Sequence, residues 1–290
     1  MTNTSASIPI IKTIAPLAPT RDAWLLDIWG VLHNGVSPFP GAVDACQTFR
    51  QSGGSVVLVS NSPRTCAGVA TQLAEIGVPE DCYDGIATSG DVTRHLIAEH
   101  EGKTVFHIGP ERDLPVFEGL NVTLGKPEDA ASIVCSGLFD DENETPEDYA
   151  ALFAQLRTLN LPMICANPDM ACERGHRIIP CAGALASEYK ALGGEVLYAG
   201  KPYQPIYDLA LAQIASARGA DVPRERLLAI GDGITTDIAG AGALGIDSVF
   251  VASGVFVKNA HGTGLTSDIV ADLFEGQSAR PIAATDRLVW

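Results

Sequence analysis

Residues 23–35 read Ala23-Trp24-Leu25-Leu26-Asp27-Ile28-Trp29-Gly30-Val31-Leu32-His33-Asn34-Gly35. The run from Ala23 to Leu26 is short and apolar on both faces, and it leads into a carboxylate and then a glycine turn. A strand buried on both sides of a sheet has this pattern. It returns at 55–59, which leads into Ser60, and at 104–108, 132–135, 162–165, 227–230 and 248–251. Helical periodicity fills the intervals over 41–51, 64–76, 146–159, 203–218 and 237–244. Buried strands alternating with helices predict parallel β-α-β units, so the fold class is α/β. In open sheets of this class ligands sit beyond the carboxyl ends of the strands. The polar residues expected there are Asp27, Ser60 with Asn61, Asn167 with Asp169, Lys201, and Asp232.

The chain has 290 residues, room for one large domain or two ordinary ones. Its 46% hydrophobic and 19% charged residues exclude disorder for most of its length. A net charge of -16 repels phosphate backbones and anionic lipid, so neither nucleic acid nor a membrane surface is an expected partner. An anionic ligand must then be caught locally, by backbone amides and one or two cations plus a metal. No stretch reaches the roughly 18 uninterrupted apolar residues of a spanning helix. Residues 1–19 lack a basic leader and are broken by Pro9, Lys12 and Pro16, which predicts an extended surface arm rather than a secretory signal. Seven scattered cysteines fit free thiols in a reducing cytoplasm. Cys172, His176 and Cys181 match no zinc spacing and lack a fourth ligand. The acidic run 140–148 contains Thr145-Pro146-Glu147-Asp148, a helix start signal.

Four segments carry chemistry. Asp27, presented at a strand end, could attack an electrophile, bind a metal or simply cap the turn. Val59-Ser60-Asn61-Ser62-Pro63-Arg64 sets small hydroxyl and amide groups before a helix start, suited to phosphate oxygens or, for Ser62, to capping alone. Gly200-Lys201-Pro202 delivers one cation on a rigid turn. Gly231-Asp232-Gly233-Ile234-Thr235-Thr236-Asp237 places two carboxylates around a glycine turn at the mouth of a helix. In that order the four supply a nucleophile, a hydroxyl, a lysine and an acidic metal site, the parts that phosphoryl transfer requires.

These segments resemble the four motifs of the haloacid dehalogenase (HAD) superfamily, class IIA branch, which includes the NagD-type nucleotide and sugar phosphatases and the pyridoxal phosphatases. The likeness covers roughly 21–270 and extends to Thr88-Ser89-Gly90, Asn167-Pro168-Asp169, Pro180-Cys181-Ala182-Gly183-Ala184, and Gly200-Lys201-Pro202 with Tyr207. It implies a Rossmann-like core in two parts, 1–100 and 196–290, interrupted by an inserted C2-type α/β cap at 101–195. It implies that Asp27 attacks phosphorus, forming an aspartyl phosphate, and also binds Mg²⁺. Ser60, the backbone of Asn61 and Lys201 would hold phosphoryl oxygens, with Ser62 beside them. Asp232 and the backbone carbonyl of Trp29 would reach the metal, Asp237 would support it, and Asn167 and Asp169 in the cap would face the leaving group. The implied substrate is a small phosphorylated metabolite, a sugar phosphate or nucleotide, in a cytoplasmic enzyme. A homo-oligomer formed through the cap stays open.

Two positions depart from the resemblance. Most phosphatases of the superfamily carry an aspartate two residues after the nucleophile, where this chain has Trp29, so only the backbone role survives there. General acid catalysis contributes about 10²- to 10⁴-fold, and a simple alkyl phosphate is then expected to be a poor substrate unless His33 or Asp169 takes over. His33 also reads as a loop histidine bonded to backbone. Cys181 stands where relatives usually have glycine, and reads as a buried small hydrophobe. The alternative to a phosphohydrolase is a protein that binds or senses a phosphorylated ligand without turnover. A dehalogenase-like attack on carbon is disfavoured by Asp232 and Asp237, which would hinder an anionic substrate.

Overall fold

The computed structural model describes residues 7–174, 177–252 and 264–290, leaving His176 outside the described residues. The strands in chain order are β1 (Ala23–Asp27), β2 (Ser55–Ser60), β3 (Gly85–Thr88), β4 (Thr104–Ile108), β5 (Thr123–Leu124), β6 (Ser132–Cys135), β7 (Met163–Cys165), β8 (Ala171–Arg174), β9 (Arg177–Pro180), β10 (Val196–Tyr198), β11 (Leu227–Gly231), β12 (Asp247–Val251) and β13 (Ala283–Thr285). The helices are α1 (Pro40–Gln51), α2 (Cys66–Glu75), α3 (Ser89–Ala98), α4 (Ala150–Thr158), α5 (Ala182–Ala191), α6 (Gln204–Arg218), α7 (Ala239–Ala243) and α8 (Ser267–Leu273). The chain forms two compact units, Met1–Val59 with Gln72–Ile86 and Ala210–Trp290, and Ser60–Thr71 with Ala87–Leu209. Among the described residues no helix is long and apolar enough to cross a membrane.

The first unit is built on a six-stranded sheet in the order β13-β12-β11-β1-β2-β3. The pairings β13/β12, β12/β11, β11/β1 and β1/β2 are parallel. Central β1 is buried along its whole length, which is why its sequence is apolar without alternation. Trp24 of β1 stacks on Phe49 of α1 with ring centroids 4.0 Å apart. Just before β1, the Asp22 carboxylate accepts two hydrogen bonds from Arg226, 2.8 Å from Nε and 2.6 Å from the terminal nitrogen. This fork ties the starts of β1 and β11 together, in a register that pairs Ala23 with Leu227 and Leu26 with Ile230. Asp27 and Asp232 therefore emerge at the same end of adjacent parallel strands.

The expectation of a surface arm over 1–19 is corrected. Ile8 and Ile14 are buried, Ile10 bridges to Ala284, and the Ile11 and Ile14 N–H groups donate to the carbonyls of Ala284 and Val289. The prolines are accommodated in an extended edge at Pro9 and in a short 3-10 helix over Ala15–Thr20 that carries Pro16 in its first turn, and Ile8 joins Phe250 and Phe274 in a core cluster.

The second unit holds a five-stranded parallel sheet, β10-β7-β6-β4-β5, and the antiparallel hairpin β8-β9. Its sheet is covered on both faces. Ile133 and Cys135 of β6 pack with Phe153 of α4 and Leu185 and Tyr189 of α5, while Val134 between them packs with Ile97 of α3 and Phe117. The start signal before α4 holds, because the Asp148 carboxylate accepts the Thr145 N–H at 2.8 Å.

Candidate active site

In the first unit, Asp27, Asp232 and Asp237 each offer a carboxylate oxygen, and these oxygens lie within 4.8 Å of one another. Asp27 and Asp237 are buried and Asp232 is half-buried. Glycines make the convergence sterically feasible. A Cβ at Gly30 would lie 2.2 Å from Asp232 Oδ2, and one at Gly231 would lie 2.2 Å from Asp237 Cγ. Gly30 also has φ +85°, a conformation that L side chains rarely adopt. The Asp237 carboxylate accepts the Gly233 N–H at 3.1 Å, across a π-helical turn at Ile234–Ile238 that leads into α7. The 237–244 helix expected from sequence thus begins with this wider turn, a feature often found at functional sites. Like charges at this spacing repel by about 3 kcal/mol per pair at an effective dielectric of about 20. An all-oxygen set of this kind suits a hard divalent cation, which would cancel that repulsion.

The chain leaves β1 through a tight loop in which the Gly30 N–H donates to the His33 carbonyl at 2.8 Å. The Trp29 indole lies across Gly35, where a Cβ would meet Cη2 at 2.4 Å, and edge-on to the His33 ring at a centroid distance of 5.1 Å. His33 is buried, and its Nδ1 accepts the Gly35 N–H at 2.8 Å. Burial pushes its imidazole down to about 4, so at neutral pH the ring is uncharged with its proton on Nε2. The backbone hydrogen bond expected of His33 as a loop histidine is present.

The second unit brings together another group. Asn61, directly after β2, is held from both sides. Its Oδ1 accepts the Lys201 N–H at 2.7 Å, and its Nδ2 donates to Asp169 Oδ1 at 2.8 Å and to the Lys201 carbonyl at 3.3 Å. The Asn61 side chain is thus committed to holding the Lys201 turn and the Asn167–Asp169 loop. Lys201, on a cis Lys201–Pro202 peptide, is 3% exposed. Asn167 and Lys201 follow β7 and β10 of the five-stranded sheet, whereas Asp27 and Asp232 mark strand ends of the other sheet. Ser60 Oγ accepts the Ser62 N–H at 3.2 Å and Ser62 Oγ accepts the Arg64 N–H at 3.3 Å, so each hydroxyl shapes this turn. This turn delays α2, expected from 64, to Cys66.

Two glycines that support these loops had no assigned role at the level of sequence. A Cβ at Gly90 would meet the Pro63 and Arg64 carbonyls at 2.3 Å, and one at Gly183 would meet the Pro168 carbonyl at 2.2 Å. The N-termini of α3 and α5 are thereby pressed against the 62–64 and 167–169 loops, with Gly90 N–H donating to Ser62 O and Gly183 N–H to Asp169 O. Their presence in Thr88-Ser89-Gly90 and Ala182-Gly183-Ala184 was the available signal. Cys181, preceding α5, is buried, as expected of a small hydrophobe.

Residues 24–123 match the family model for haloacid dehalogenase-like hydrolases, and residues 198–275 match a second model described as HAD-hydrolase-like. A crystal structure of a haloacid dehalogenase-like hydrolase from Brucella suis 1330 is 46% identical, covering 97% of this chain and 100% of that one with a TM-score of 0.85. The 5'-nucleotidase YutF of Bacillus subtilis is 27% identical over 84% of this chain and 91% of its own length. The glycerol phosphate phosphatase of Mycobacterium tuberculosis, solved in complex with calcium, is 26% identical over 82% of this chain and 68% of that one, with a TM-score of 0.63. The α/β architecture, the acidic cluster at adjacent strand ends and these likenesses converge, and the chain belongs to the haloacid dehalogenase superfamily of hydrolases, class IIA branch.

Proposed function

We propose that the chain is a Mg²⁺-dependent phosphohydrolase acting on a small phosphorylated metabolite through an aspartyl phosphate on Asp27. The convergence of Asp27, Asp232 and Asp237 carries this reading. Named relatives that are phosphatases, one of them solved with calcium, support it. Asp27, Asp232 and the Trp29 carbonyl would hold the cation, with Asp237 supporting it. When bound, it offsets the charge that keeps a carboxylate and a phosphate apart. Asp27 attacks phosphorus, while Ser60, the Asn61 backbone and Lys201 hold the phosphoryl oxygens, with Ser62 fixing their turn. Asn167 and Asp169 face the leaving group from a cap at 101–195, between core segments 1–100 and 196–290. Each family match includes motifs of both groups, Asp27 with Ser60 to Ser62, and Lys201 with Asp232 and Asp237.

The test is phosphate release from a metabolite panel with and without Mg²⁺, together with intact-mass detection of a phosphorylated enzyme. Metal-dependent release, and a phosphorylated species lost in Asp27→Asn, are expected. Binding of phosphorylated ligands without any release would favour the sensor alternative that Trp29 raises.

A further inference from the structure

We propose that this enzyme is selective for phosphates whose leaving group departs as a stable anion, namely aryl, enol or acyl phosphates, with Trp29 as the specificity-determining residue. The inference rests on the phosphohydrolase reading and deepens it to a substrate class. Trp29 sits two residues beyond Asp27 and is 37% exposed, an unusual place for so large an apolar surface. Its position is fixed by Gly35, which leaves room only for a hydrogen beneath the indole, and by the edge of His33. An indole N–H is a hydrogen-bond donor and no acid. Residues 28–39, the loop after the nucleophile, contain no Asp or Glu, and the one histidine there, His33, is 2% exposed and bonded to the loop backbone through Nδ1. The three carboxylates crowd one another in the geometry of a cation site. The loop that follows the nucleophile therefore offers an aromatic surface where an acid would be needed.

The chemistry follows. An Asp27 oxygen bonds to phosphorus as the bond from phosphorus to the leaving oxygen breaks, and that electron pair departs with the oxygen. The anion then takes a proton from solvent. Water attacks phosphorus, the bond to Asp27 breaks, its electron pair restores the carboxylate, and the water's proton passes to phosphate or solvent. A carboxylic acid has a pKa of about 4 and a phenol about 10, whereas an alcohol is nearly as weak an acid as water, at about 15.7. Carboxylates, enolates and phenolates can leave unprotonated, and an alkoxide cannot. A planar leaving group also gains by stacking on the indole.

The experiment is kcat/KM in Mg²⁺ over substituted phenyl phosphates, acetyl phosphate and an alkyl phosphate. For the natural protein a steep fall with rising leaving-group pKa is expected. A burst of about one phenol per active site should accompany it, because no residue at position 29 activates the water of the second step. Trp29→Asp should raise kcat/KM on the alkyl phosphate about a hundredfold and flatten the series. Trp29→Phe, which packs but cannot protonate, should keep the steep dependence. A flat series in the natural protein, or a flattened one in Trp29→Phe, would overturn the inference. Absence of release and of phosphoenzyme with every substrate would instead overturn the phosphohydrolase reading, and this inference with it.

Discussion

Gly30 and Asp232 approach so closely that a methyl group on Gly30 would lie 2.2 Å from the Asp232 Oδ2. The position is doubly restrictive, since φ is +85° as well. Gly30→Ala must either move the Asp232 carboxylate or open the loop after β1. We expect a stability loss of about 1–2 kcal/mol from the left-handed conformation and at least a tenfold rise in the Mg²⁺ concentration needed for half-maximal activity. A variant that melts lower but keeps the native metal midpoint would show that Asp232 does not need its present position.

The acidic cluster makes a prediction whose sign depends on the metal. In EDTA the three carboxylates repel, so Asp232→Asn should leave the melting temperature unchanged or raise it. In millimolar Mg²⁺ the natural protein should gain stability by mass action and the variant should not. Calorimetric melts in both buffers check this. Equal shifts in the two proteins would remove Asp232 from the metal site.

Asn61 links Lys201 to Asp169, and the link has a direction, with the amide nitrogen donating to the Asp169 carboxylate. Asn61→Asp retains the acceptor for the Lys201 N–H but sets one carboxylate against another. A destabilisation of about 1–3 kcal/mol is expected at neutral pH. Adding Asp169→Asn restores one donor and one acceptor, so a double-mutant cycle should show strongly favourable coupling. Additive effects in that cycle would show that the two side chains act independently.

Much of this site was legible in the sequence because its residues stand at strand ends that identify themselves. The all-apolar run before Asp27 and the run before Asp232 are buried on both faces, and both were placed within a residue or two. The elements not placed from sequence include α3 (Ser89–Ala98), whose apolar face is carried by Val92 and Ile97, and several that are too short or too uniformly buried to show a period. Strands β3, β10 and β13 have three or four residues each, and α5 is buried on most sides through its small residues, leaving little amphipathic signal. The close contacts at Gly90 and Gly183 depend on which loop each helix N-terminus meets, and that is set by tertiary packing. The N-terminal segment differs from the expected surface arm because its few isoleucines, too sparse to show a period, are buried against the sheet edge at Ala284.

The fork between Asp22 and Arg226 predicts a pH-dependent stability. The hydrogen bonds from Arg226 hold the Asp22 carboxyl below its usual range, outweighing the opposing effect of burial, and the nearby charges of Arg226 and Arg218 act in the same direction. A carboxyl whose pKa is lower folded than unfolded contributes stability that is fully present above the unfolded value of about 3.9 and is lost as pH falls through the folded value. Asp22→Asn should therefore melt below the natural protein at pH 7, and the gap should narrow as the pH is taken from about 4 downward. The fork lies at the start of β1 and β11, while Asp27 and Asp232 lie at their far ends, joined by a ladder that runs from Ala23–Leu227 to Leu26–Ile230. That ladder keeps the register without the fork, so the Mg²⁺ midpoint of Asp22→Asn should match the natural one. A melting difference that is constant from pH 7 to pH 3 would show that the ionised Asp22 carboxylate contributes nothing, and a shifted metal midpoint would show that the fork sets the register.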